Sequence, residues 1–117
     1  MAGIYIHIPF CKSFCHYCDF YSITDNSETE SFVQAVILES AMQARYLDGE
    51  TVETIYLGGG TPSLLTAGQT GQIISAVRKN FSISDDPEIT IEVNPDDVYE
   101  GYFRELAGTG VNRVSLG

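Results

Sequence analysis

Cys11, Cys15 and Cys18 are all the cysteines of a 117-residue chain, and they fall inside one eight-residue stretch with the spacing C-x3-C-x2-C. Three thiols this close in an aromatic-rich loop, Pro9 to Tyr21, point to a soft-metal centre before they point to three independent packing residues. A structural zinc closes with four ligands, so zinc would need His7 or His16 as the fourth. A [4Fe–4S] cluster on three cysteines leaves one iron without a protein ligand, free to take a substrate or cofactor. Cluster, zinc and packed or paired thiols all remain open on the spacing alone.

Two further groups could join such a centre. Gly58-Gly59-Gly60-Thr61-Pro62-Ser63 follows the apolar run Thr54 to Leu57. Three residues without a Cβ at a strand end let a ligand approach the peptide groups, although a plain turn has the same composition. A dinucleotide fingerprint is absent, because no G-x-G-x-x-G opens a helix here. Glu92 closes a third alternating run and would face the same mouth, with a structural ion pair as its other reading.

The elements that must position these groups are legible as periodicities. Ile4, Ile6 and Ile8 alternate with Tyr5 and His7, a strand that Pro9 ends. His7 is there most simply as a packed or hydrogen-bonded strand residue. Ser27-x-x-Glu30 is a capping box opening a helix that buries Phe32, Val33, Val36, Ile37, Ala41 and Ala44, with Asp48-Gly49 as its stop. Thr66-x-x-Gln69 opens a second helix, whose stripe is Ile73, Ile74, Val77 and Phe81. Pro87 to Val93 forms the third strand. Tyr99 to Ala107 is a third helix with Tyr102, Phe103, Leu106 and Ala107 inward, and a fourth strand starts at Val111. The fold class is α/β, a parallel sheet built from repeated β–α units in one domain.

The stretch Tyr5-Ile6-His7-Ile8-Pro9-Phe10-Cys11 and the motif C-x3-C-x-Y-C together resemble the radical S-adenosylmethionine (SAM) superfamily. Within it the chain is similar to the oxygen-independent coproporphyrinogen III oxidases and their HemW-type relatives. The resemblance implies Cys11, Cys15 and Cys18 as ligands of a [4Fe–4S] cluster, with SAM on the open iron. It implies Tyr5, Tyr17, Gly59, Gly60, Thr61 and Glu92 as SAM-binding residues. The fold it implies is a six-strand partial TIM-like barrel, of which 1–117 would be the N-terminal part, an incomplete half-barrel with the remaining strands and a C-terminal domain missing.

The oxidase branch has a fourth cysteine two positions after the last, where this chain has Phe20. That departure favours the HemW-type haem chaperones, which bind haem and deliver it to apo-proteins. The oxidase, acting on coproporphyrinogen III, is the alternative, and a zinc-stabilised structural domain is the third. Either tetrapyrrole reading names haem or coproporphyrinogen as the partner.

Composition narrows the rest. Sixteen acidic against six basic residues give a net charge of -10, which repels nucleic-acid backbones and anionic membranes. No apolar run is long enough to span a bilayer, and the start of the chain has no signal-peptide pattern. A cytoplasmic location is expected, where reduced thiols can serve as ligands. The edge and inner face of an incomplete parallel sheet predict self-association.

Overall fold

The computed structural model describes residues 2–10 and 26–116, the side chains of Asn26, Ser27 and Glu28 excepted. Four strands form one sheet in sequential order: β1 (Ala2–Ile8), β2 (Val52–Gly59), β3 (Ile83–Val93) and β4 (Arg113–Leu116). All three pairings are parallel. The helices α1 (Asn26–Met42), α2 (Ala67–Asn80) and α3 (Tyr102–Ala107) connect them, as the expected β–α units require.

The period-two pattern decides which face is which. Ile4, Ile6 and Ile8 of β1 continue across the sheet into Ile55 and Leu57 of β2 and Ile89, Ile91 and Val93 of β3. These side chains pack with Val33 of α1, Ile73, Ile74 and Val77 of α2, and Tyr102 and Leu106 of α3 in a single core. Burying each such aliphatic side chain contributes about 1.5–3 kcal/mol, so this row sets the register. Gly3, Tyr5 and His7, at the intervening positions, point to the opposite face and are exposed, as is Thr54.

Several boundaries differ from expectation. β3 begins at Ile83, four residues before Pro87, because Ile83 already pairs with Val52. The register then shifts: one residue of β2 stands opposite Ser84 to Pro87 before Thr54 meets Glu88. Pro87, with no amide to donate, sits in that interruption.

α1 starts at Asn26, so Ser27 lies within the helix instead of capping it. Its last regular residue is Met42, and the chain reaches Asp48-Gly49, both at positive φ, through a run of turns. Ala41 is exposed and Ser40 takes the inward place. The Ser40 hydroxyl donates to the Ile37 carbonyl (2.7 Å) and accepts from Asn80 (3.0 Å), which satisfies it there.

α2 has the expected capping box: the Gln69 amide donates to Thr66 Oγ1 and the Thr66 amide to Gln69 Oε1. α3 is shorter than expected, starting after Gly101 at positive φ. Its inward residues are Tyr102 and Leu106, one helical turn apart; Phe103 and Ala107 are exposed. Among the described residues no helix is long and apolar enough to cross a membrane.

Candidate functional site

The C-terminal ends of β1, β2 and β3 converge, and the glycine run fastens them together. Gly59 adopts φ +112, a region open to glycine, and a Cβ there would come within 2.7 Å of the His7 ring and 2.9 Å of the Ile8 carbonyl oxygen. The Gly60 amide donates to that Ile8 carbonyl (2.8 Å). At Gly60 a Cβ would lie 2.5 Å from the carbonyl oxygen of Phe10. The glycines therefore let β2 lie against the exit of β1, directly at the residue that precedes Cys11. Phe10 is itself buried and packs edge-on against Phe32 of α1 (5.0 Å between ring centres). The root of the cysteine segment is pinned on two sides.

Glu92, on the half-buried inner face of β3, reaches across to the same glycines. Its Oε1 accepts from the Gly59 amide (3.0 Å) and its Oε2 from the Tyr56 hydroxyl (2.8 Å). The space it crosses is that of Gly58, where a Cβ would stand 3.1 Å from the Glu92 carboxyl and 2.8 Å from the Tyr56 ring. Two donors without charge hold the carboxylate, which differs from the ion pair weighed as its structural alternative. Arg113, the nearby cation of β4, pairs with Glu88 instead, at 3.6 Å and largely in solvent.

A cavity of about 300 Å³ opens beside this carboxylate, lined by Gly60, Thr61, Pro62, Glu92, Asn94 and Ser115 among others. Two of the segments that line it are joined by a link that the sequence motifs did not reveal. Buried Ser63 donates to Asp97 Oδ2 (2.6 Å) and accepts from the Asn94 amide (3.1 Å), tying the loop after the glycines to the turn after β3. A serine after G-G-G-T-P and an aspartate after E-V-N-P are the only sequence trace of it.

Tyr5 is exposed on the inner face and stacks on Tyr56 (5.9 Å, 18° between planes), with its hydroxyl 3.2 Å from His7 Nδ1. The structure thus brings Gly59, Gly60, Thr61 and Glu92 together at the C-terminal end of the sheet, with Gly60, Thr61 and Glu92 on one cavity; Tyr5 lies earlier on β1 and joins them through its stack on Tyr56. Cys11, Cys15, Cys18, Tyr17 and His16 lie outside the described residues.

Tyr56 was not among the expected site residues. Its phase on β2, out of step with Ile55 and Leu57, is the signal that places it on the inner face. The bond to the Glu92 carboxylate raises its pKa above the ordinary tyrosine range, with partial burial adding to this and Ser115 and Arg113 opposing it.

The family model of the Radical SAM superfamily matches residues 5–117. The chain belongs to the radical SAM superfamily. Among relatives within the superfamily, the chain is 37% identical over 119 residues to the heme chaperone HemW of Mycobacterium tuberculosis and 39% identical over 117 residues to that of Escherichia coli. Each alignment covers 98% of this chain, and 30% and 31% of the respective relative. A solved radical SAM structure, the coproporphyrinogen III oxidase HemN of Escherichia coli, superposes with a TM-score of 0.86 at 32% identity, covering 98% of this chain and 27% of that one. The chain thus spans about a third of the length of these radical SAM relatives, and the expected α/β parallel fold is the one it shares with the HemN structure over this span.

The superfamily implies a [4Fe–4S] cluster and SAM in general terms. The residues present suit a polar cofactor with donor groups: a carboxylate held by two hydrogen bonds beside a cavity that Gly60 and Thr61 also line.

Proposed function

We propose that this chain forms the cluster-bearing and SAM-binding part of a HemW-type haem chaperone. The observation that carries this reading is the carboxylate of Glu92 held on the Gly59 amide, next to Gly60, whose own amide is bonded to the Ile8 carbonyl at the exit of β1. Cys11, Cys15 and Cys18 would hold the cluster. Glu92, Gly59, Gly60, Thr61, Tyr5 and Tyr17 would hold SAM, with the carboxylate and the strand-end carbonyls accepting from its ammonium or hydroxyl groups. When bound, cluster and SAM together supply one-electron reduction and hydrogen-atom abstraction; the protein orients them and excludes water and oxygen.

The chaperone reading rests on Phe20, which stands where the oxidases resembling this chain carry a further cysteine, and on the similarity to HemW proteins. Haem would be the cargo. The likeness to the HemN structure favours coproporphyrinogen III oxidation as the second reading. Titration with haem, followed in its visible absorption band, separates them when set beside a decarboxylation assay on coproporphyrinogen. Haem binding without decarboxylation supports the chaperone, and turnover of coproporphyrinogen overturns it.

We further propose that the sheet is one part of a larger barrel. Parallel sheets occur almost only with both faces covered, and here Tyr5, Thr54 and Arg113 stand exposed on one face. A cytoplasmic location and self-association through the open sheet belong to the same proposal, the first because reduced thiols suit a cluster and the second because β1 and β4 are the edge strands of the sheet among the described residues.

A further inference from the structure

The proposed SAM contacts of the glycine run and Glu92 leave open how the carboxylate keeps its direction. A glutamate held at one oxygen still rotates about that bond. Glu92 is held at both, and the second donor is Tyr56. The hydroxyl reaches it only because Gly58, between them, has no Cβ. The Tyr56 ring is in turn steadied by its stack on Tyr5. Among the described residues one hydrogen bond is spent on each oxygen, each oxygen keeps a further lone pair, and Glu92 lines the cavity together with Thr61, Asn94 and Ser115.

We propose that Tyr56 is a positioning residue for cofactor binding, acting through Glu92: its hydroxyl fixes the plane of the carboxylate so that the free lone pairs meet donor groups of the bound SAM. The inference rests on the proposed reading of Glu92 as a SAM contact. The charged and titratable groups around the hydroxyl are Glu92, which favours its protonated form, and Arg113, which opposes it, and the balance keeps Tyr56 a donor. The arrangement belongs to this chain's own residues, because the glycine and E-V-N-P motifs do not contain Tyr56.

The test has two readouts. In the iron–sulfur-loaded chain, Tyr56→Phe should weaken SAM binding about tenfold, the size of one hydrogen bond to a charged group. The double variant Tyr56→Phe with Glu92→Gln should bind no more weakly than Glu92→Gln alone, because the tyrosine acts through the carboxylate. Equal affinity in Tyr56→Phe, or additive losses in the double variant, overturns the proposal. In the chain without cofactors, nuclear magnetic resonance of the Gly59 amide reads the coupling directly. Tyr56→Phe should shift that resonance and speed its hydrogen exchange while core amides such as Ile91 keep theirs; a Gly59 amide that does not respond overturns the proposal whether or not SAM binds. A responsive Gly59 amide in a chain that binds no SAM supports the coupling and removes the reading of Glu92 as a SAM contact.

Discussion

The Gly59 position carries several constraints at once: a backbone φ of +112, the His7 ring where a side chain would stand, and an amide that holds Glu92. Gly59→Ala is expected to cost about 1–3 kcal/mol in urea denaturation through strain and overpacking, and to displace the carboxylate with it. Tyr102 presents a different test. Burial, and then the charge of Asp97, push its pKa up to about 12. The folded chain thus keeps a proton there that the unfolded chain loses near pH 10, so this contribution is intact below about pH 10 and is lost as pH rises towards 12. Tyr56 and Tyr99, also raised by their carboxylate partners, add slope of the same sign. Melting temperatures from pH 9 to pH 12 should fall less steeply in Tyr102→Phe, whose buried hydroxyl finds no partner among the described residues. Identical slopes would contradict the assignment. At this scale Glu92 was legible because a charge ending an apolar strand is conspicuous, whereas Tyr56, equally at home in a core, showed its role only once its hydroxyl was placed on that charge.

Strands and helices were readable wherever one face had to be buried, and least so at their ends. The Thr66 box holds because its two hydrogen bonds are local, and Gln69 also donates to Glu30 of α1 (3.0 Å). Glu30, which also accepts from Gln34, has its pKa lowered by these bonds and is engaged with them where a box with Ser27 was expected. Thr66→Ala should therefore cost about 1 kcal/mol of stability in urea, with Thr66→Ser recovering most of it; no loss would mean that the tertiary packing of α2 alone decides its start. β3 begins early, and β4 is pinned by Asn112, which bonds the Ile89 amide, the Ile89 carbonyl and the Pro87 carbonyl. Neither feature has a local pattern. Both depend on which strand lies alongside, and that information resides in tertiary contacts.

The described residues form one parallel sheet whose aliphatic face packs on the helices and whose other face carries Tyr5, Tyr56 and Glu92. Among the described residues β1 and β4 each have an unpaired edge, which favours association between copies, while a charge of -10 opposes it. The exposed inner face presents Tyr5, Thr54 and Arg113 in place of an aliphatic surface, so pairing is expected at the strand edges and should strengthen with salt as repulsion is screened. Light scattering across a concentration and salt series reads this, and a monomer throughout contradicts it. The mouth formed by the glycines, Glu92 and the root of the cysteine segment has meaning only if the three thiols hold an iron–sulfur centre there. Anaerobic reconstitution with iron and sulfide, followed by metal and acid-labile sulfide analysis, is the most direct test. The expected result is about four irons and about four sulfides per chain, lost when Cys11, Cys15 and Cys18 are replaced by serine. One zinc without sulfide, or a cluster that survives those replacements, would contradict the account.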